Sequence, residues 1–88
     1  MNELSGTEEK VLEIWLEVLN QSSVGLHEGF LELGGDSLSA MVCISRIRST
    51  FGVEVPLEEF FLDQATVSDF ARLIDRAQKE WIKSDSTI

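Results

Sequence analysis

The sequence predicts an all-α fold, a small bundle of three long helices and one short helix. Apolar residues repeat at helical spacing in three segments, around residues 11–19, 40–51 and 67–81. Residues 53–55 are the one segment that resembles a strand, and the sequence offers it no partner. The 88 residues allow one domain, residues 1–88. We expect its core at about residues 7–82 and loose ends at 1–5 and 84–88.

The first predicted helix spans Thr7–Leu19. Its apolar side chains recur every three or four residues, with glutamates in the opposite row, as in an amphipathic helix. The apolar positions are Val11, Ile14, Trp15, Val18 and Leu19. Thr7 is the predicted N-cap, because its hydroxyl oxygen can accept a hydrogen bond from the free N–H groups of the first turn.

A connection without helical periodicity follows at residues 20–35 and contains four glycines. Connections of this length are uncommon in small domains and often carry function. We expect its apolar residues to fasten it across the core: Val24, Leu26, Phe30, Leu31 and Leu33. The single histidine, His27, is expected to be an ordinary loop residue.

The second predicted helix runs from about Asp36 or Ser37 to Thr50, and Phe51 and Gly52 close it. About a third of its circumference forms a core face. That face comprises Ala40, Cys43, Ile44, Ile47 and Phe51.

Three further apolar side chains of this helix, Leu38, Met41 and Val42, fall outside the core face; we call them the apolar patch. An exposed apolar patch usually marks a contact site. The alternative is that the third helix or the long connection covers it.

The third predicted helix is short, Pro56–Phe61, because proline suits the first helical position. The fourth begins at Thr66, with Asp69 three residues later in a capping-box arrangement. Its apolar stripe comprises Val67, Phe70, Ile74, Ala77 and Trp81.

The junction before the second helix, residues 34–37, has its own chemistry. Gly34 and Gly35 allow a sharp turn, and Asp36 can cap the helix. Ser37 then takes the first helical position with its hydroxyl toward solvent. A phosphate on that hydroxyl would be stabilised by on the order of 0.3–1 kcal/mol at the helix N-terminus.

A serine nucleophile is not indicated, since it needs a base and His27 is the only histidine. The alternative for these residues is a tight turn with a cap.

Composition excludes several classes of function. Sixteen acidic residues against seven basic ones, a net charge of −9, argue against binding to a phosphate backbone. No apolar run approaches the roughly 20 residues that cross a bilayer, and the first six residues do not resemble a signal peptide. One cysteine cannot form an internal disulfide. We therefore expect a cytoplasmic, monomeric domain without nucleic-acid, membrane or metal partners.

Residues 30–40, Phe-Leu-Glu-Leu-Gly-Gly-Asp-Ser-Leu-Ser-Ala, resemble the phosphopantetheine attachment motif of carrier proteins. The resemblance is closest to the peptidyl carrier (thiolation) domains of nonribosomal peptide synthetases, in the acyl carrier protein superfamily. It extends from about Glu9 to Ile74. It implies that a phosphopantetheinyl transferase joins 4′-phosphopantetheine from coenzyme A to Ser37, with Gly34, Gly35 and Asp36 completing the site.

The resemblance also implies a carrier without catalytic activity, which holds amino acid, peptidyl or acyl groups as thioesters. Its partners would be adenylation, condensation, tailoring and thioesterase domains. Leu38 and Met41 match positions that contact partners in the family, and we infer the same for Val42. Asp36 does not indicate which cargo is carried, because aspartate occurs at this position in polyketide carriers as well. The alternatives are an acyl carrier of a polyketide or hybrid line, and a helical interaction module without a covalent cofactor.

Overall fold

The computed structural model describes residues 4–62 and 65–86, with side chains as far as Lys79. Three α-helices and a short 3₁₀ helix form within these ranges, and no strand does. They are α1 (Gly6–Val18), α2 (Ser37–Phe51), the 3₁₀ helix (Leu57–Phe61) and α3 (Val67–Ser86). Helix α1 packs against α2 and α3, and the 3₁₀ helix packs against α2. The predicted all-α bundle of three long helices and one short one is confirmed.

Some predictions concern parts of the chain outside the described residues. They are the predictions for residues 1–3 and 87–88 and for the side chain of Trp81. Helix α3 extends to Ser86, beyond the predicted core limit at residue 82. Its sequence contains no glycine or proline that would end it earlier.

The N-cap of α1 is Ser5, so the prediction that Thr7 caps this helix is wrong. The Glu8 N–H donates to Ser5 Oγ at 3.0 Å, and the Ser5 N–H donates to Glu8 Oε1 at 3.0 Å. This reciprocal pair forms a capping box and places the N-cap two residues before the predicted one. The Thr7 hydroxyl instead donates to Asp75 Oδ1 at 2.6 Å and joins α1 to α3.

The other helix boundaries lie close to the predicted ones. Gly52, with φ +72°, ends α2 in the left-handed conformation, and its N–H donates to the carbonyl of Arg48. Thr66 precedes α3, and its Oγ1 accepts from the Asp69 N–H at 3.2 Å. The Thr66 hydroxyl also donates to Asp69 Oδ2 at 2.8 Å.

Four aromatic rings meet at the centre of the bundle. Phe30 lies 5.1 Å from Trp15 and 4.9 Å from Phe60, measured between ring centroids. Phe70 lies 5.8 Å from Trp15 and 4.4 Å from Phe60. Three of these pairs are edge-to-face, and the Phe60–Phe70 pair is tilted at 31°. Edge-to-face pairs add about 0.5–1.5 kcal/mol each to the burial of the rings. The cluster therefore joins α1, the 20–35 connection, the 3₁₀ helix and α3.

Backbone hydrogen bonds hold the 20–35 connection to the start of α3. The Phe30 N–H donates to the carbonyl of Ala65 at 2.8 Å, and the Ser68 N–H donates to that of Leu26 at 3.2 Å. As predicted, Phe30 is fully buried, and the partly buried side chains of Val24, Leu26 and Leu33 pack on the core.

The prediction that Leu31 anchors the connection is wrong, because its side chain is 48% exposed. Residues 30–34 form turns. In consecutive turn residues the side chains point in different directions, so the burial of Phe30 directs its neighbour Leu31 away from the core.

Val53 and Val55 are buried on either side of the exposed Glu54. They complete the core beside the 3₁₀ helix without forming a strand. None of the described helices combines the length and apolar character needed to span a bilayer.

Candidate functional site

The turn that leads into α2 depends on two glycines, for different reasons. Gly34 has φ +94°, a conformation that costs an L-residue about 1–2 kcal/mol. Gly35 lies against the ring of Phe30, where an added Cβ would be 2.8 Å from Cζ and closer still to Cδ2 and Cε2. The Gly35 N–H also donates to the carbonyl of Phe30 at 3.0 Å. Gly35 therefore permits the turn to lie directly on the aromatic cluster.

Asp36 is the N-cap of α2, as predicted. The Ser39 N–H donates to Asp36 Oδ1 at 2.9 Å, and the Asp36 N–H donates to Ser39 Oγ at 2.8 Å. The backbone N–H of Ser39, followed by its hydroxyl, lowers the pKa of Asp36 below the ordinary 3.8, because both hydrogen bonds favour the carboxylate. Asp36 is thus ionised at neutral pH and holds the first turn of α2 in place.

Ser37 is the first residue of α2, and its side chain is exposed. It lies beside the free N–H groups and the positive dipole end of the helix, which favour a phosphate. No described histidine or carboxylate hydrogen-bonds its hydroxyl, and His27 is an exposed loop residue. The position is therefore suited to carry an attached phosphate group and lacks the base that a nucleophilic serine needs.

The apolar patch lies exposed on the first two turns of α2. Leu38 is 72% exposed, Met41 57% and Val42 42%. The sequence left open that the third helix or the long connection covers the patch. In the structure both leave it largely exposed to solvent. The core face of α2 is as predicted: Ala40, Cys43 and Ile47 are buried, and Ile44 and Phe51 pack partly buried against the core.

Further exposed apolar residues lie outside α2, and their exposure was not predicted from the sequence. Leu57, Phe61 and Leu62 belong to the 3₁₀ helix and the residue after it. Leu57 and Met41 line the same open groove of about 420 Å³ between α2 and the 3₁₀ helix. The shortness of this segment is the signal that could have indicated the exposure. A short helix that buries Phe60 cannot also bury its neighbours.

The two arginines of α2 pair within the chain. Arg46 pairs with Glu17 of α1, and Arg48 Nη1 lies 3.6 Å from Glu54 Oε1. Both pairs are solvent-exposed, where an ion pair contributes about 0–1 kcal/mol. Residues 37–50 contain no acidic residue. They present apolar side chains at the start of α2 and, farther along, two arginines that pair with glutamates of the same chain.

Cys43 is fully buried in the core face of α2, as predicted. Burial raises the pKa of its thiol to about 12, because the thiolate would be poorly solvated there. The side chain is thus a protonated, inaccessible thiol at neutral pH. Across the described residues, no group of three or more histidine, cysteine or carboxylate side chains is arranged to hold a metal ion.

Comparisons with known proteins point to one family. Residues 9–74 match the family described as phosphopantetheine attachment site. A subunit of the linear gramicidin synthase of Brevibacillus parabrevis is 51% identical over 67 residues, which is 76% of this chain and 1% of that relative. Tyrocidine synthase 3 of the same organism is 40% identical over 72 residues, which is 82% of this chain and 1% of that relative. The chain therefore spans only a small part of the curated relatives that it matches.

Two solved structures share the fold. One is a peptidyl carrier protein in a complex with the phosphopantetheine transferase Sfp and coenzyme A. It has a TM-score of 0.79 and 30% identity, over 86% of this chain and 97% of that one. The other is McyG A-PCP complexed with phenylalanyl-adenylate, with a TM-score of 0.74 and 32% identity. That match covers 84% of this chain and 12% of the other.

Proposed function

Because this chain belongs to the phosphopantetheine attachment site family, we propose that it is a peptidyl carrier domain in which Ser37 bears 4′-phosphopantetheine. Family membership confirms the resemblance that the 30–40 motif indicated, and it identifies phosphopantetheine as the cofactor. The chain is homologous to carrier domains of nonribosomal peptide synthetases. The attachment residue, the cargo and the partners of this particular chain are the proposal.

One observation supports Ser37 above all: its exposed hydroxyl stands at the N-terminus of α2, beside an exposed apolar patch. The residues present fit the cofactor. The α2 dipole and free N–H groups favour its phosphate, Gly34 and Gly35 form the turn that exposes the serine, and Asp36 caps the helix through Ser39.

Attachment needs little from the chain itself. The Ser37 Oγ attacks the phosphorus that bears the pantetheine of coenzyme A and forms a phosphodiester. The phosphoanhydride bond of coenzyme A breaks, the nucleotide bisphosphate leaves, and the serine proton passes to a base. The transferase supplies the base for this step. When bound, the cofactor supplies a flexible arm whose terminal thiol holds a cargo as a thioester. The buried Cys43 does not compete with that thiol, because it is the only cysteine and is inaccessible.

The apolar patch supports a role in docking to the enzymes that act on the arm. The patch lies on the first two turns of α2, next to Ser37. A partner that reaches Ser37 therefore also covers Leu38, Met41 and Val42. We propose that the patch contacts the phosphopantetheinyl transferase and, in turn, adenylation, condensation, tailoring and thioesterase domains. The relative complexed with Sfp and the A-PCP structure support partners of these two kinds.

Carrier domains of this family are in general non-catalytic, and we propose that this chain likewise has no activity of its own. We further propose that it acts as one monomeric carrier domain in the cytoplasm. The single cysteine, which can form no internal disulfide, supports that compartment.

Intact-mass measurement tests the attachment directly. The protein is incubated with coenzyme A and a broad-range phosphopantetheinyl transferase, and we expect a gain of one phosphopantetheine mass. The Ser37→Ala variant should gain nothing. The matched control is Ser45→Ala, which removes another exposed α2 serine and should be modified like the wild type. If the wild type remained unmodified, a helical interaction module without a covalent cofactor would be the better explanation.

A second experiment tests the cargo. The modified protein is offered to a panel of adenylating and acyl-transferring enzymes, and the attached group is identified by mass. We expect aminoacyl groups to be accepted, because the relatives are peptide synthetases. Stable acceptance of malonyl-type units alone would instead identify an acyl carrier of a polyketide line.

A further inference from the structure

The contact between Phe30 and Gly35 lies two residues from the proposed attachment point, and the comparisons assign it no role. Phe30 is fully buried, and its ring packs against those of Trp15 and Phe60 at centroid distances of 5.1 and 4.9 Å. Its backbone is held as well, since its N–H donates to the carbonyl of Ala65 at 2.8 Å. The ring therefore has a fixed position in the bundle.

Gly35 lies directly on this ring. An added Cβ would lie 2.8 Å from Phe30 Cζ and closer still to two other ring atoms, whereas ordinary contact begins at 3.4 Å. A side chain at position 35 would thus force a shift of at least about 0.6 Å. The ring cannot take up that shift, because it is fully buried and packed edge-to-face against Trp15 and Phe60, and close-packed interiors yield little.

The turn must therefore move instead, and it carries Asp36 and Ser37 with it. The Asp36–Ser39 capping box links the turn only to α2's own first turn and does not hold the turn against the core. Leu33 packs on the core at the start of the turn. Nearer to Ser37, the contact with the core is the close approach of Gly35 to Phe30, and the Gly35 N–H donates to the carbonyl of Phe30 at 3.0 Å.

We propose that Phe30 is a positioning residue for phosphopantetheine attachment: its ring, seated against Gly35, sets where Ser37 stands relative to the rest of the bundle. This inference rests on the proposed attachment at Ser37. The transferase must meet the α2 surface and the Ser37 hydroxyl together, so the distance from the turn to the bundle affects the reaction. Misplacement of a reacting group by about 1 Å can lower a rate by about 100-fold.

The chain offers matched variants. Gly35→Ala introduces the clash, and Phe30→Leu in the same chain relieves most of it, because leucine lacks two of the three ring atoms that the Cβ would meet, Cε2 and Cζ, and its Cδ methyl groups can turn away by rotation about χ2. Gly6→Ala is the control for a harmless glycine replacement, since no atom lies within 4 Å of its added Cβ. Gly34→Ala is the control for backbone strain without a clash, since its φ is +94° and its Cβ would also meet nothing within 4 Å.

The experiment measures kcat and KM for modification of each variant by a broad-range phosphopantetheinyl transferase. We expect Gly35→Ala to lower kcat/KM by about 10- to 100-fold. The double variant should recover to within about threefold of Phe30→Leu alone, because the two sites are coupled. Phe30→Leu should not rescue Gly34→Ala. A double variant no faster than Gly35→Ala, or a Gly35→Ala protein as fast as Gly6→Ala, would overturn the inference.

A second measurement keeps this test separate from the proposed function. The amide NMR signals of Ser37 and Ser39 report the placement of the turn without any transferase. We expect them to shift in Gly35→Ala and to return in the double variant. Unmodified wild-type protein would contradict the attachment proposal alone, while unshifted amide signals in Gly35→Ala would contradict the positioning role alone. If Gly35→Ala does not fold, the double variant compared with Phe30→Leu decides, and a double variant that also fails to fold contradicts the inference.

Discussion

Replacement of Met41 by aspartate should separate docking from folding in α2. The Met41 side chain is 57% exposed, and full burial of a methionine contributes about 1.5–3 kcal/mol. A partner that covers the exposed part would therefore gain about 0.9–1.7 kcal/mol from it. Losing that contact alone corresponds to a decrease of about 4- to 16-fold in kcat/KM for the transferase. Burying a new carboxylate adds a desolvation cost, so Met41→Asp should reach at least the lower end of this range.

The assay pairs transferase kinetics with thermal unfolding followed by circular dichroism. Met41→Asp should retain its helical signal and change stability by no more than about 0.5 kcal/mol, as surface substitutions do. Ile47→Ala is the core control on the same helix, because Ile47 is fully buried. It should lose about 2–5 kcal/mol of stability. If Met41→Asp unfolded like Ile47→Ala, or were modified at the wild-type rate, Met41 would not be a docking residue.

Three further predictions concern the titrating groups Asp36 and Cys43. The pKa of Asp36 lies below 3.8 in the folded protein, so its stabilising effect is present above that pH and is lost as the pH falls through the lowered value. Urea-unfolding midpoints of wild type and Asp36→Asn should therefore differ by a constant amount above about pH 5 and converge in stronger acid; a difference independent of pH would contradict this. The Cys43 thiol should resist thiol reagents at about pH 8 until urea unfolds the protein. Because burial raises the pKa of Cys43 to about 12 from 9.0, stability should fall as the pH rises above 9 in wild type and less so in Cys43→Ala.

Several features could be predicted because short-range rules determine them. The core face of α2 follows from its 3.6-residue period, and Asp36 and Gly52 mark its ends through preferences that act over about four residues. The same helical wheel placed Leu38, Met41 and Val42 outside the core face, and the structure decided that they are exposed. The attachment motif could also be identified from its order along the chain, because the turn, cap and serine are consecutive.

Other features depend on contacts between residues far apart in the sequence. Leu31 has the composition of a core residue and is exposed because its neighbour Phe30 takes the place in the aromatic cluster. Thr7 has the chemistry of a cap, yet its hydroxyl hydrogen-bonds Asp75 on α3, 68 residues away. Neither contact appears in a local pattern, although the Ser5–Glu8 capping box that replaces Thr7 as the cap does, as a Ser-x-x-Glu sequence.

The sequence alone determined the helical class, the helix ends within one or two residues except the C-terminal end of α3, and the serine that heads α2, because each depends on backbone propensity and periodicity within a few residues. Only the tertiary structure decided why residue 35 must be glycine rather than any flexible turn residue. The Phe30 ring is held there by Trp15 and Phe60, which come from other parts of the chain. Close packing among distant segments leaves no room for a Cβ, and no local pattern records that.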